Sequence, residues 1–362
     1  GVSISDVQFI DLAPCKSVLN TEKITFHLTL PVLLRKLISF FIKYFILFEF
    51  NESIKYKNRY WTSSRKAELT ILQPLDFDLI ITHHLNSLPL ALKLSKSKKV
   101  PLILNAHEYY PREFEDNTQW LNETQPTYLY YCKKLLPKVN QMFSVGAGIR
   151  EEYLKEFNVD SIVIPNDKRY YTDLNPSIVD ENCIKLVHHR AAIRERKLEV
   201  MIELMEFLPN NYELIFILMP VHKAYYKELH TLAAKHQNIR FVEAVDVEKI
   251  PRSINKYEIG IFILANNNFN YEYALPNKFF EFVQARLCLA ISPNIEMKNI
   301  INKYQLGVVA EDFSAEKMAE KIHALSITEI RHYKEQSHKF AYELSSEKTE
   351  QTIVDEVNKL LI

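Results

Sequence analysis

Four stretches of this chain carry residue types able to hold an anion, accept from hydroxyl groups or exchange a proton. In "NYEYALPNKFFEF" (270–282), Lys278 and Glu281 stand three apart on the opening turn of a helix that Pro276 starts. An ion pair at that spacing is worth only about 0.2–0.5 kcal/mol, so stability explains little of its presence. In "LVHHRAAIRERKLEVMIELMEFL" (186–208), the spacing of Leu198, Met201, Met205 and Leu208 predicts a helix beginning near 194–197, with Arg194, Arg196 and Lys197 in its first turn. Cations there oppose the helix dipole by roughly 0.3–1 kcal/mol each, and a bound anion would reverse that penalty. A solvated charged turn is the plainer alternative. In "LILNAHEYYPREFED" (102–116), an apolar strand delivers His107 and Glu108, able to hydrogen-bond a sugar hydroxyl or move a proton, or else simply satisfied by loop backbone. "IITHHL" ends a strand with His83 and His84, for which a structural role is the expectation. No HExxH-like spacing joins these histidines, so no metal is expected.

Something must bring these residues together. Short runs rich in Ile, Val and Leu alternate with helical segments, the pattern of parallel strands joined by crossover helices. Strands are expected at 7–12, 77–82, 100–106, 141–145 and 161–166, then at 183–188, 213–219, 239–244, 259–264, 287–292 and 307–310. Between the two sets, "DKRYYTDLNPSIVDEN" is polar and lacks apolar period. The expectation is an α/β protein of two doubly wound Rossmann-like domains facing a cleft: 1–168, a linker at 169–182, and 183–362 with a terminal helix over about 327–361. In such sheets ligands bind beyond the carboxyl ends of the strands, where all four stretches fall. Two cationic helix starts in the second half suggest a ligand with several phosphates and a hydroxylated sugar, Lys278 meeting phosphate and Glu281 accepting from vicinal hydroxyls.

Composition narrows the class. The 362 residues hold 45 basic and 45 acidic side chains, so no global field recruits nucleic acid. The four cysteines, Cys15, Cys132, Cys183 and Cys288, form no CxxC, which disfavours a zinc site or a disulfide framework and favours a reducing, cytoplasmic setting. The chain lacks an initiating Met and a recognisable signal peptide, as a fragment or processed chain would. Its most apolar run, 30–50, contains Arg35, Lys36 and Lys43, so it reads as a cationic amphipathic helix on a membrane's inner face or as a core or cleft helix, not as a span. With five glycines and neither GxGxxG nor GxxxxGK[ST], a Rossmann dehydrogenase or P-loop enzyme loses support.

In their order and spacing, "DFDLIITHHLNSLPLALKLSKSKKVPLILNAHEYYPREFED", "LVHHRAAIRERKLEVMIEL" and "ALPNKFFEFVQARLCLAIS" resemble the retaining GT-B glycosyltransferases of the large family-four group of bacterial polysaccharide and capsule enzymes. The likeness runs from about residue 70 to the end. It implies a metal-independent hexosyltransferase that needs no cofactor and takes a UDP- or GDP-type sugar donor and a glycan or lipid-linked acceptor. Glu281 would hold the donor ribose, with Arg196 and Lys278 as the diphosphate cations. His107, with Glu108, would stand by the reacting sugar. The nucleotide-binding set would be Arg190, Arg196, Lys197, Tyr273, Ala274, Leu275, Asn277, Lys278 and Glu281, and the catalytic set His107, Glu108, Arg196 and Lys278.

The sequence also departs from that family. Tyr273 stands where an acidic residue is common, so backbone around Ala274 and Leu275 would face the donor instead. Arg190 and Arg286 stand where the family has glycine, at a cost on the order of 1 kcal/mol each if those positions need positive φ. Arg190 would either add a phosphate donor or block the cleft. The likeness also implies that the chain opens at the family's second strand, without the first strand and helix. The alternatives to a glycosyltransferase are a nucleotide-sugar epimerase of the same shape and a degenerate, non-catalytic binding subunit.

Overall fold

The computed structural model describes Tyr56 and residues 59–361. The strand expected at 7–12, the run at 30–50 and the start of the chain lie outside the described residues. The first half contains α1 (Ser63–Leu72), β1 (Ile80–His83), α2 (Leu88–Lys98), β2 (Leu102–Ala106), α3 (Thr118–Glu123), α4 (Gln125–Leu135), β3 (Gln141–Ser144), α5 (Ala147–Phe157) and β4 (Ile162–Val163). These four strands form a parallel sheet in the order β1-β2-β3-β4. Leu102, Ile103 and Leu104 are all fully buried, as continuous apolar strands must be when helices cover both faces.

The second half runs β5 (Ile184–Ala191), α6 (Glu199–Leu204), β6 (Tyr212–Met219), α7 (Lys223–Ala233), β7 (Ile239–Val242), α8 (Ile250–Ile254), β8 (Ile259–Phe262), α9 (Phe269–Glu272), α10 (Asn277–Gln284), β9 (Cys288–Ile291), α11 (Ile295–Tyr304), β10 (Gly307–Val309), α12 (Ala315–His323), α13 (Ile327–Phe340) and α14 (Ser346–Leu361). Its parallel six-stranded sheet has the order β10-β9-β8-β5-β6-β7. The chain winds outward one way from β5 and the other way from β8, so β5 and β8 flank the point where a doubly wound sheet leaves a crevice. Both halves are Rossmann-like, and they face each other across a cleft.

Two local outcomes differ from the sequence expectation. Residues 194–196 form a single 3-10 turn and α6 begins only at Glu199, so no long helix starts at the arginines. The expected terminal helix is two helices, broken at 341–345. The buried Gln284 amide donates to Ala341 O (2.6 Å) and Leu344 O (3.2 Å), and Ser346 N donates to Lys168 O (2.9 Å), so backbone groups that a continuous helix would pair internally find partners elsewhere. After the break, α14 crosses to the first half, where Val357 is buried with Ile103, Phe143 and Ile164.

Candidate functional site in the cleft

The helix α10 is almost wholly interior: every residue from Lys278 to Gln284 is buried. It lies so close to β8 that a Cβ on Gly260 would come within 2.5 Å of the Phe282 ring, which is why that strand position is glycine. The polar side chains it carries inward are each met by a different element. Lys278 Nζ lies 2.6 Å from His188 Nε2 in β5 and 4.5 Å from the centroid of the Phe262 ring. His188 Nδ1 is 3.0 Å from Ile261 O, an atom that can only accept, so Nδ1 carries the proton and Nε2 receives the Lys278 donor. Glu281 does not pair with Lys278. Its carboxylate takes a two-pronged bond from Arg190 at the end of β5, with Nε to Oε2 at 3.1 Å and a second, shorter contact from the other prong to Oε1.

Arg190 holds φ of 94° and Arg286 φ of 60°, both left-handed. Arg190 lines the cleft. Arg286 is fully buried away from it and donates to Gln284 O (2.7 Å), Val283 O (3.3 Å) and Tyr171 O (2.7 Å). His189, 1% exposed, sits with Nδ1 3.6 Å from Glu281 Oε2, and neither ring nitrogen has a hydrogen-bond partner.

The cleft encloses about 260 Å³. His107, Glu108, Arg190, Arg196, Tyr273, Ala274, Leu275, Asn277 and Lys278 all line it. Glu281 stands behind Arg190 and does not reach the surface. Lys197 is exposed and is not among the lining residues. Arg194 also lies elsewhere, paired with Glu228 on the surface. Sequence reasoning missed His188, which orients Lys278, and the lining residues Asn166, Asn270 and Tyr271. His188 and Asn166 were within reach, since each ends an apolar run by the same rule that found His107.

Electrostatics make the cleft hungry for an anion. Burial, then the neighbouring Arg196, hold the Lys278 ammonium well below its usual pKa, with Glu281 opposing and Arg190 reinforcing the shift. Burial also lowers Arg196, which has no ion pair among the described residues. The Glu281 carboxylate among these groups is itself pushed up by burial and drawn back by Arg190 first, then by Lys168 and Lys278. Across the cleft, burial and the adjacent His84 and His83 lower His107 to about 4, so it is neutral near pH 7, with Nε2 3.1 Å from His83 Nδ1. Burial, followed by repulsion from Glu113, raises Glu108 to about 7, which keeps its proton exchangeable. Among the described residues no group of three or more His, Cys, Asp or Glu converges as for a metal ion.

The halves are in direct contact beside the cleft. Tyr109 N donates to Asn270 Oδ1 (2.7 Å) while Asn270 Nδ2 donates back to Tyr109 O (3.1 Å). Phe269 N donates to Glu115 Oε1 (2.7 Å), and Gly148 N donates to Glu296 Oε1 (2.6 Å) at the start of α5. The ring of Tyr273 lies against Gly148, where a Cβ would come within 2.0 Å of it. An aromatic ring at the position expected to be acidic thus serves the contact between halves.

Residues 45–166 match the model of the family described as Glycosyltransferase Family 4. No curated protein sequence matches the chain. Among solved structures it is similar to Anabaena HepE in complex with UDP and glucose, at 12% identity and TM-score 0.64, covering 82% of each chain. It is also similar to sucrose-phosphate synthase from Thermosynechococcus elongatus, at 14% identity and TM-score 0.66, covering 82% of this chain and 77% of that one. A third similar structure is S. aureus TarM with fondaparinux, alpha-GlcNAc-glycerol and UDP, at 12% identity and TM-score 0.63, covering 82% of this chain and 59% of that one. At such identities the likeness establishes the fold alone, which is that of the GT-B glycosyltransferases.

Proposed function

We propose that this chain is a retaining hexosyltransferase of cell-surface polysaccharide synthesis, moving a sugar from a nucleoside-diphosphate donor to a glycan or lipid-linked acceptor. The observation that carries the reading is the cleft at the β5/β8 switch point, where Arg190, Arg196 and Lys278 outnumber their single carboxylate. Such a cleft suits a diphosphate as ligand and then as leaving group, because preorganised cations stabilise the charge that develops when the sugar departs. Neutral His107 and the proton-exchanging Glu108 face those cations and suit the sugar and the incoming hydroxyl. The Family 4 match and the UDP held by the HepE and TarM structures support a UDP-type donor, and no metal is needed in this scheme. In this reading 1–168 is the acceptor side, 183–362 the donor side, and the protein works in the cytoplasm, its 30–50 segment meeting the inner membrane face.

Isothermal titration with UDP, GDP and ADP tests the donor site. Wild type should bind at least one of them, and Glu281→Ala should weaken that binding about a hundredfold, since it removes the anchor of Arg190 together with any hydroxyl contact. Undiminished binding by the variant would sink the assignment. The Arg190–Glu281 pair favours a second reading, a non-catalytic binding subunit, because it occupies the carboxylate assigned to ribose. Sugar transfer from a bound UDP-sugar to added glycans decides between the two.

A further inference from the structure

A second cavity, of about 280 Å³, lies on the first half. Arg59, Tyr60, Arg65, Asn86, Tyr128 and Tyr131 form most of its wall. It neighbours the cleft through Tyr110, whose ring centroid is 6.1 Å from that of Tyr128 and whose hydroxyl accepts from His107 N at 3.3 Å.

The groups around this cavity are under-used by the protein itself. Arg59 has no carboxylate partner among the described residues, and its guanidinium makes only a long bond to Thr127 Oγ1, at 3.4 Å. Tyr60 is 8% exposed, and its buried hydroxyl has the Leu90 backbone beside it but makes no hydrogen bond to a described residue. Burial pushes its pKa up to about 12, so it remains a neutral donor and acceptor. A buried hydroxyl left unmet is costly, and a ligand oxygen would remove that cost. Asn86 Nδ2 donates to the Tyr128 hydroxyl at 2.7 Å, which leaves the phenolic hydrogen free to donate onward. Tyr60 and Tyr131 meet edge to face, with centroids 6.3 Å apart, and offer apolar ring surface of the kind that covers the C–H faces of a sugar. Arg65, held by Glu68 at 2.7 Å, keeps a compensated charge, so the uncompensated cation is Arg59.

We propose that this cavity binds an anionic sugar, its phosphate or carboxylate on Arg59 and its hydroxyls on Tyr60 and Tyr128. As a binding site it stands apart from the transfer activity. As the place of the sugar that receives the transferred unit, it rests on that reading.

The chain's two tryptophans report on this site. Trp61 meets Tyr60 edge to face at 5.1 Å, and Trp120 meets Tyr128 at 5.8 Å. Tryptophan fluorescence of the whole protein is followed while glucose 1-phosphate, glucuronate or glucose is added. The two charged sugars should give saturable changes and glucose should bind about tenfold more weakly, the loss expected for one charge-assisted hydrogen bond. Arg59→Gln, at an exposed position, should bring the charged sugars down to the level of glucose without moving the melting temperature or UDP binding. Tyr60→Phe should weaken all three sugars without lowering the melting temperature, because it deletes a hydroxyl the protein leaves unmet. A tighter response to glucose 1-phosphate assigns a phosphate, and a tighter response to glucuronate a carboxylate. Equal binding of all three sugars, no fluorescence change with any, or wild-type affinity in Arg59→Gln each overturns the proposal. Sugar binding that persists in a protein that fails to bind UDP sinks the transfer reading and leaves this site standing.

Discussion

Arg190 and Arg286 adopt the same unusual backbone conformation in the same half of the molecule, and their side chains meet opposite fates. Arg286 caps the end of α10, where its guanidinium donates to three backbone carbonyls and, through Tyr171 O, ties the segment between the two sheets to the second half. Arg190 ends β5 at the switch point, 20% exposed, with its charge committed to the buried Glu281 carboxylate behind it. A left-handed non-glycine residue costs on the order of 1 kcal/mol wherever it stands. At Arg286 that cost is offset by structure, and at Arg190 by a carboxylate that a ligand can compete for. The same departure from glycine therefore has a structural meaning in one place and, in the reading proposed above, a ligand-binding meaning in the other.

The comparison breaks most visibly at Arg286. Arg286→Ala keeps the left-handed backbone and strips the Gln284 and Tyr171 carbonyls of their guanidinium donor, while Val283 O keeps the backbone amide of residue 286, so chemical denaturation should show a loss of about 3 kcal/mol, with UDP affinity within about twofold of wild type. A stable variant that loses UDP binding would reverse the assignment. Arg190→Gly removes the strain and the ion pair together, so its stability should change by less than about 1 kcal/mol, while UDP affinity should fall about fivefold through loss of a phosphate donor. A rise in affinity would identify Arg190 as a plug. The smallest effect is on pH dependence. Burial raises the Glu281 pKa and Arg190 counteracts it, so Arg190→Gly should raise it further. A raised folded-state pKa gives stability that is present below the unfolded carboxyl value and lost as pH rises through the folded one. Arg190→Gly should therefore lose melting temperature relative to wild type between pH 5 and pH 8, by about two degrees. Arg286→Ala, which touches no carboxylate, should run parallel to wild type across that range.

Both arginines were visible in the sequence as departures, and their conformation followed from the positions they occupy. Their partners were not visible. The contact between Arg190 and Glu281 joins residues 91 apart, and only the close approach of α10 to β8 over Gly260 brings them together. Periodicity located the strands because parallel strands buried on both faces read as unbroken apolar runs. It failed at 194–197, where three apolar repeats suggested a helix but the chain makes a 3-10 turn and the charged residues scatter: Arg196 into the cleft, Arg194 to Glu228, Lys197 to solvent. It also failed at 341–345, because the helix is interrupted by a side chain, Gln284, that arrives from nearly 60 residues earlier. Burial of Lys278 was foreseeable from its apolar neighbours Phe279, Phe280 and Phe282. Its reliance on His188 was not, since nothing in a strand's alternation says which imidazole will face a lysine.

The crossing of α14 onto the first sheet has a consequence for how the protein is made. The chain passes between the halves twice at nearly the same place, where Lys168 and Ser345 form a bridge and Tyr170 N donates to Glu347 Oε2 at 2.7 Å. The first half leaves the ribosome early, but the surface formed by Ile103, Phe143 and Ile164 stays bare until Val357 has been added. Of the two sheets, the one synthesised earlier is finished only when α14 docks, and a chain lacking that helix would expose the apolar face to other nascent chains.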